Sequence, residues 1–367
     1  MGRTLLFLPG DGIGPEVLAE ARRVFEALDL PGIAVAEAPV GGAAIDAVGQ
    51  PLPPETEAAV SAADAVLLGA VGGPKWAGAP HERRPEAGLL ALRARLGGYA
   101  NLRPVRCHPA LAGASALKPE RVAGLDILFV RELLGGVYFG EPRGIRQLPS
   151  GEREAVNTQR YSEGEIRRVA RHAFTAARAR RGELASVDKA NVMESGLLWR
   201  ETVDALQRAE FPDVRVTHLY ADNAAMQLVL NPRQFDVILT DNLFGDILSD
   251  LAAAVQGSIG LLPSAALGDP GRPGLYEPIH GSAPDIAGRG LANPVGAILS
   301  LALALRHSLG EPEAAARVEA AVDGALEVGA RTRDLGGALS TAEMGEAVLA
   351  MLEAGARPAG RQAGAAG

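Results

Sequence analysis

Thr4-Leu5-Leu6-Phe7-Leu8-Pro9-Gly10-Asp11-Gly12-Ile13-Gly14-Pro15-Glu16 is the stretch that decides the fold. Thr4 to Leu8 reads as a buried strand, and from Pro15 the apolar positions Val17, Leu18, Ala21, Val24, Phe25 and Leu28 keep the helical period. Pro15 fits the first turn of that helix, where a missing amide hydrogen costs nothing. A glycine turn between strand and helix is where dinucleotide phosphates commonly rest on a helix N-terminus. Yet the third glycine of G-x-G-x-x-G would fall at Pro15, so the Rossmann fingerprint fails. A tight turn that needs positive φ accounts for the spacing equally well.

Outward from this segment, further strands are expected at Asp64 to Val71, Leu125 to Arg131, Glu183 to Asp188, Val214 to Tyr220 and Phe235 to Thr240. Helices separate most of them, as in Glu163 to Arg181, where Ile166, Val169, Ala170, Ala173, Phe174 and Ala177 share one face. The alternation predicts an α/β fold. Between Pro142 and Tyr161 the chain is polar and punctuated by Pro and Gly, which suits a projecting arm or loop. Three helices are expected from near Pro294, Glu311 and Thr341, with an unstructured tail from Gly355.

The 367 residues suffice for about two domains of roughly 150 residues, and 47% hydrophobic composition supplies a large core. A net charge of −8 argues against nucleic-acid or anionic-membrane partners, whose phosphates need a basic surface. A single cysteine, Cys107, excludes disulfide scaffolds and thiolate metal sites. The apolar run from Leu5 to Pro9 is too short for a secretory h-region and no run of about 18 apolar residues occurs, so a soluble cytoplasmic protein is expected. Only Lys75, Lys118 and Lys189 among the 36 basic residues are lysines.

Chemistry-bearing residues gather at the ends of these elements. Asp246 and Asp250 lie four apart at the start of a helix, so both carboxylates project from one face. A divalent ion with oxygen ligands would relieve their repulsion, magnesium or manganese above all; a helix N-terminus and a solvated surface would also accommodate them. Asp222 is read either as a helix N-cap or as a third ligand. Arg93, Arg103 and Arg131 stand at element ends, where converging guanidinium groups could clamp a dicarboxylic acid. Lys189 follows a strand's carboxyl end and suits a general base. Tyr138 lies among glycines that would let backbone approach a ligand, though a buried tyrosine with an ordinary hydrogen bond fits as well.

Together these segments resemble the isocitrate/isopropylmalate dehydrogenase family of β-decarboxylating dehydrogenases. The resemblance runs in order through the glycine turn, Gly72-Gly73-Pro74-Lys75-Trp76, Asn101-Leu102-Arg103-Pro104, Arg131-Glu132, Tyr138-Phe139-Gly140-Glu141 and Asp188-Lys189-Ala190-Asn191. It continues through Asn242 to Asp250, His280 to Gly288, and Asp334-Leu335-Gly336-Gly337. It implies a two-lobed α/β fold with a large mixed sheet, unlike the Rossmann fold. Residues 1–98 and 257–367 would form the cofactor lobe, and residues 99–256 the lobe carrying the arm, the dimer interface and the metal ligands, with a cleft between.

The resemblance also implies roles. Arg93, Arg103 and Arg131 hold substrate carboxylates; Asp222, Asp246 and Asp250 coordinate Mg2+ or Mn2+ with the substrate's oxygens. One aspartate and Lys189 arrive from the partner of a homodimer. Lys189 acts in removing the hydroxyl proton, and Tyr138 is the acid. The cofactor is NAD, contacted by Ile13, Gly73, Pro74, Lys75, Trp76, Glu86, His280, Gly281, Ser282, Ala283, Pro284, Asp285, Ile286 and Asn293. Asp285 would repel the extra phosphate of NADP. Leu89 and Leu90 stand where isocitrate-using members carry serine and asparagine, so an apolar wall replaces the partner of a third carboxylate. The expected reaction is oxidative decarboxylation of 3-isopropylmalate in leucine biosynthesis. A D-malate/tartrate or homoisocitrate dehydrogenase, or a non-catalytic regulatory paralogue, is the alternative.

Overall fold

The computed structural model describes residues 2–356. Two compact units divide it: Met1–Leu89 with Tyr276–Gly367, and Leu90–Leu275. Ten strands belong to one mixed sheet, as the α/β expectation requires, and two more form a separate ribbon.

In the first unit the quoted segment becomes β1 (Arg3–Gly10) and α1 (Gly14–Ala27), followed by β2 (Ile33–Glu37), α2 (Gly41–Val48), α3 (Pro54–Ala62) and β3 (Ala65–Ala70). β1 pairs in parallel with both β2 and β3. Pro15 lies in the first turn of α1, and Val17, Leu18, Ala21, Val24 and Phe25 are buried. Helix α4 (Pro85–Leu96) then leads into the second unit.

That unit contains β4 (Ala100–Arg106), α5 (Pro119–Val122), β5 (Asp126–Glu132), β6 (Gly144–Gln147), β7 (Arg153–Val156), α6 (Glu163–Arg178) and β8 (Glu183–Asp188). It continues with α7 (Glu194–Glu210), β9 (Arg215–Tyr220), α8 (Ala221–Leu230), β10 (Val237–Thr240), α9 (Asn242–Gln256) and β11 (Pro263–Leu267). The chain closes with β12 (Gly274–Pro278), α10 (Val295–His307), α11 (Pro312–Glu327) and α12 (Thr341–Ala356). The sheet order is β2-β1-β3-β12-β11-β4-β5-β10-β8-β9. β4 runs antiparallel to β5 and β11, while β5, β10, β8 and β9 pair in parallel, which makes the sheet mixed.

Helix α6 shows how local chemistry sets these elements. Ser162 and Glu165 close a capping box at its start, and its six predicted apolar residues are all buried. They pack beside α7: Phe174 stacks at 4.9 Å on Phe211, which follows the end of α7, and Tyr161, just before α6, meets Trp199 of α7 edge-on.

The Pro142–Tyr161 segment, expected as a projecting arm or loop, contains an antiparallel ribbon, β6 with β7; its strand residues are mostly exposed, so no apolar pattern announced the strands. Two local expectations need correction. Asp222 is not an N-cap, because α8 begins one residue earlier and Tyr220 occupies the cap position. Helix α12 continues through Gly355 to Ala356; the rest of the expected unstructured tail lies outside the described residues.

Candidate active site

The second unit gathers its arginines through β4 and β5. Their antiparallel register sets Asn101 opposite Arg131 and Arg103 opposite Phe129. Both guanidinium groups are almost wholly buried, Arg103 at 6% and Arg131 at 2% exposure. Arg103 donates through Nε to Asn101 Oδ1 and through Nη1 to Ser249 Oγ, each at 2.7 Å. Arg131 donates through Nε and Nη2 to Asn242 Oδ1 and through Nη1 to Asp246 Oδ1. Gly245 makes this packing possible, because a Cβ there would stand 2.6 Å from Arg131 Cγ and 2.3 Å from Thr240 Oγ1.

Helix α9 supplies the carboxylates. Asp241 caps it by accepting from Phe244 N at 2.8 Å, and Asp246 and Asp250 follow on one face. Arg103 Nη1 lies 3.6 Å from Asp246 Oδ1 and 3.7 Å from Asp250 Oδ1. The Tyr138 hydroxyl donates to Asp246 Oδ2 at 2.9 Å. Arg131 lies over the same tyrosine ring.

The electrostatics of this cluster call for an anion. Burial, then repulsion from Arg131, pulls Arg103 down to about 9, so it stays charged at neutral pH. Burial and the neighbouring Arg93 also lower Arg131, against the pull of Asp246. Burial works to raise Asp246, but Arg131, Arg103 and the Tyr138 hydroxyl overcome it and hold the carboxyl below its ordinary range. Burial and then Asp246 raise Tyr138, which keeps its proton. Arg103 and Arg131 thus share the Asp246 carboxylate, and this buried cationic pair would hold an anionic ligand beside it.

Lys189 and Asp222 form a separate pair. Lys189 Nζ lies 2.7 Å from Asp222 Oδ1, and that contact depresses the Asp222 carboxyl. Lys189 also stands over the Tyr220 ring. The preceding Asp188, at the end of β8, is fixed by Arg200 at 3.0 and 2.9 Å. Among the described residues no three His, Cys, Asp or Glu side chains converge as a metal site. Asp246 and Asp250 offer two hard carboxylate donors, which with water and substrate oxygens suit magnesium or manganese, and Asp222 does not join them within one chain.

In the first unit, Ile13 is buried and its N–H donates to Ser282 O at 2.9 Å. Gly73 precedes the short turn Pro74–Trp76; Lys75 pairs with Asp46 at 2.6 Å and lies over Trp76. Glu86 is exposed and its Oε1 would stand 2.8 Å from a Cβ at Gly72. His280 is 8% exposed, burial keeps its pKa low, and its Nε2 has no hydrogen-bond partner. Gly281 has open space around it, Ala283 has positive φ, and Pro284, Asp285 and Ile286 follow in a turn closed by Ile286 N to Ala283 O. Asn293 donates to Asp334 Oδ2 at 3.0 Å. A neutral buried imidazole with an orphaned nitrogen fits a site that a polar ligand completes.

A family model described as isocitrate/isopropylmalate dehydrogenase matches residues 4–348. The chain belongs to the isocitrate/isopropylmalate dehydrogenase family. It is 63% identical over 349 residues to the 3-isopropylmalate dehydrogenase of Caulobacter vibrioides, covering 95% of this chain and 99% of the relative. The corresponding enzyme of Hahella chejuensis is 58% identical over 359 residues, covering 96% and 99%. Among solved structures, the isocitrate dehydrogenase of Methylococcus capsulatus superposes with a TM-score of 0.86 at 34% identity, covering 95% and 99%. This member of the isocitrate/isopropylmalate dehydrogenase family is an oxidoreductase, a decarboxylating dehydrogenase. No helix among its described residues is long and apolar enough to cross a membrane.

Sequence reasoning passed over Asn242, Ser249 and Asp334 as individual site residues. All three lie inside recognised motifs, which is the signal that could have singled them out; the contact of Ser249 with Arg103, which spans 146 residues, becomes visible only in the fold.

Proposed function

We propose that this enzyme oxidises (2R,3S)-3-isopropylmalate with NAD+ and decarboxylates it to 4-methyl-2-oxopentanoate, as a cytoplasmic step of leucine biosynthesis. The observation that carries the reading is the junction of an apolar wall with a cationic clamp. On α4, Leu89 and Leu90 are half-buried and Leu92 is fully buried; Arg93 follows, close enough to act on the charges of Arg103, Arg131 and Asp246. A substrate with two carboxylates and one branched alkyl group matches both features. The 63% and 58% identical relatives named 3-isopropylmalate dehydrogenase support the same choice.

In this reading Arg93, Arg103 and Arg131 bind and orient the carboxylates, while Leu89 and Leu90 cover the isopropyl group. When bound, Mg2+ or Mn2+ would supply Lewis acidity and NAD+ a hydride acceptor. Asp246 and Asp250, with Asp222, would hold the cation. Lys189 takes the proton from the C2 hydroxyl, and Tyr138, kept protonated beside Asp246, delivers one to the carbon that loses CO2. The cofactor side chains come from residues 1–98 and 257–367, and the metal ligands from residues 99–256.

On this reading the enzyme works as a homodimer, each site taking Lys189 and Asp222 from a second copy; the absence of a three-ligand cluster among the described residues of one chain supports it. Met226, Val229 and Leu230 on α8 and Ile247 on α9 are large apolar side chains left exposed on two helices that pack together. That surface supports association. Comparing kcat/KM on 3-isopropylmalate, D-malate, homoisocitrate and isocitrate tests the substrate; preference for any of the last three would overturn it.

A further inference from the structure

The glycine turn between β1 and α1 carries two carboxylates, Asp11 and Glu16, that the proposed reaction does not use. Asp11 is 5% exposed. Its Oδ2 accepts from Gly42 N and Gly72 N at 2.8 Å each, and its Oδ1 accepts from Ala43 N at 2.7 Å. Glu16 divides its two oxygens between Gly288 N at 2.5 Å and Gly290 N at 2.9 Å. Between these residues, Ile13 N donates to Ser282 O. One short turn thus ties together Gly72, beside Gly73–Trp76, and both Ser282 and the 288–290 turn, inside the His280–Asn293 segment.

The geometry at Gly288 and Gly290 explains why a carboxylate is used. Both glycines have left-handed φ, +72° and +61°, so the backbone turns their N–H groups into a concavity of the kind that binds anions. The chain fills that concavity with its own Glu16. The turn that looked like a phosphate cradle instead uses its acidic side chains to organise backbone amides. At the far end of the same segment Asp334 accepts from Asn293 Nδ2 and from the Thr332 hydroxyl.

We propose that Asp11 and Glu16 are positioning residues that hold the two cofactor segments, Gly72–Trp76 and His280–Asn293, in the binding conformation before NAD+ arrives. The inference rests on the cofactor reading given above. Its physical basis is preorganisation: a loop already ordered loses less freedom when the ligand binds.

Glu16→Gln separates this role from packing. Glutamine keeps the shape but must present its NH2 to one of two backbone donors, so the clamp loses an acceptor. In the full-length protein, calorimetry with NAD+ should show affinity about tenfold weaker for Glu16→Gln and Glu16→Ala alike. Amide hydrogen exchange across residues 283–293 should rise, while 3-isopropylmalate binding with Mg2+ stays within about twofold of wild type. Asp11→Asn, at the other end of the turn, should weaken NAD+ affinity alike, with exchange rising at Gly42, Ala43 and Gly72, whose amides Asp11 holds, and keeps the test open if Glu16→Gln does not fold. Wild-type NAD+ affinity and exchange in a folded Glu16→Gln protein would overturn the clamp. Wild-type protein that protects these amides yet binds no NAD+ would overturn the cofactor reading instead, and the clamp's purpose with it.

Discussion

Asn242 Oδ1 receives two hydrogen bonds from one guanidinium group, Arg131 Nε at 3.1 Å and Nη2 at 2.7 Å. The same side chain donates through Nδ2 to Leu133 O and Gly135 O, and its backbone N–H donates to the Tyr161 hydroxyl. Asn242 therefore fixes the plane of Arg131 and the path of the chain toward Tyr138. Asn242→Ala would leave buried carbonyls and an arginine edge unpartnered, at a cost of roughly 2–4 kcal/mol. Urea unfolding should show that loss. KM for the dicarboxylate should rise by at least about tenfold while NAD+ affinity is retained. An unchanged KM would remove Asn242 from any role in orienting Arg131.

Two copies should complement each other's defects. Asp246→Asn and Lys189→Met should each abolish turnover with little effect on folding. If Lys189 serves the opposite copy's Asp246, a mixed dimer holds one site with both defects and one with neither. Co-refolded equal mixtures should then recover about a quarter of wild-type activity. Absence of recovery, with mixed dimers demonstrated by tagged purification, would place all catalytic groups in one chain.

The apolar wall should be read out by substrate size. Leu90→Ala removes contact from an isopropyl group but takes nothing from D-malate, which has no branch. The ratio of kcat/KM for 3-isopropylmalate over D-malate should fall about 10- to 100-fold, the range expected for lost apolar contact. A ratio that does not move would take Leu90 out of the specificity pocket.

Asp241 makes stability depend on pH. Burial pushes its carboxyl up to about 6 from the ordinary 3.8, despite hydrogen bonds from Phe244 N and Gln159. The native state thus holds more protons than the unfolded state between those values, so this group's contribution is full below 3.8 and is lost as pH rises through about 6. The loss is on the order of 2–3 kcal/mol. Asp241→Asn keeps an acceptor for Phe244 N, and a flipped Gln159 amide could meet the new NH2, since its Oε1 is without a partner. Urea unfolding at pH 4 to 7 should show that the variant lacks this decline and is the more stable protein at pH 7. Parallel profiles would refute the assignment.

Short-range patterns in the chain determined α1, α6 and the one-sided pair Asp246 and Asp250, because helical period, capping and i,i+4 spacing act over a few residues. Strand β4 escaped that reading for a physical reason. Its buried Asn101 and Arg103 occupy positions where an inward-facing strand residue is expected to be apolar, and they are polar because they build the site. Only tertiary structure decided that Asn242 orients Arg131 from 111 residues away, that Glu16 binds amides 272 and 274 residues distant, and that Asp222 joins Lys189. Hydrogen bonds reach about 3 Å in space and carry no imprint of the chain length between their partners, so they become visible only when the sheet has brought those partners together.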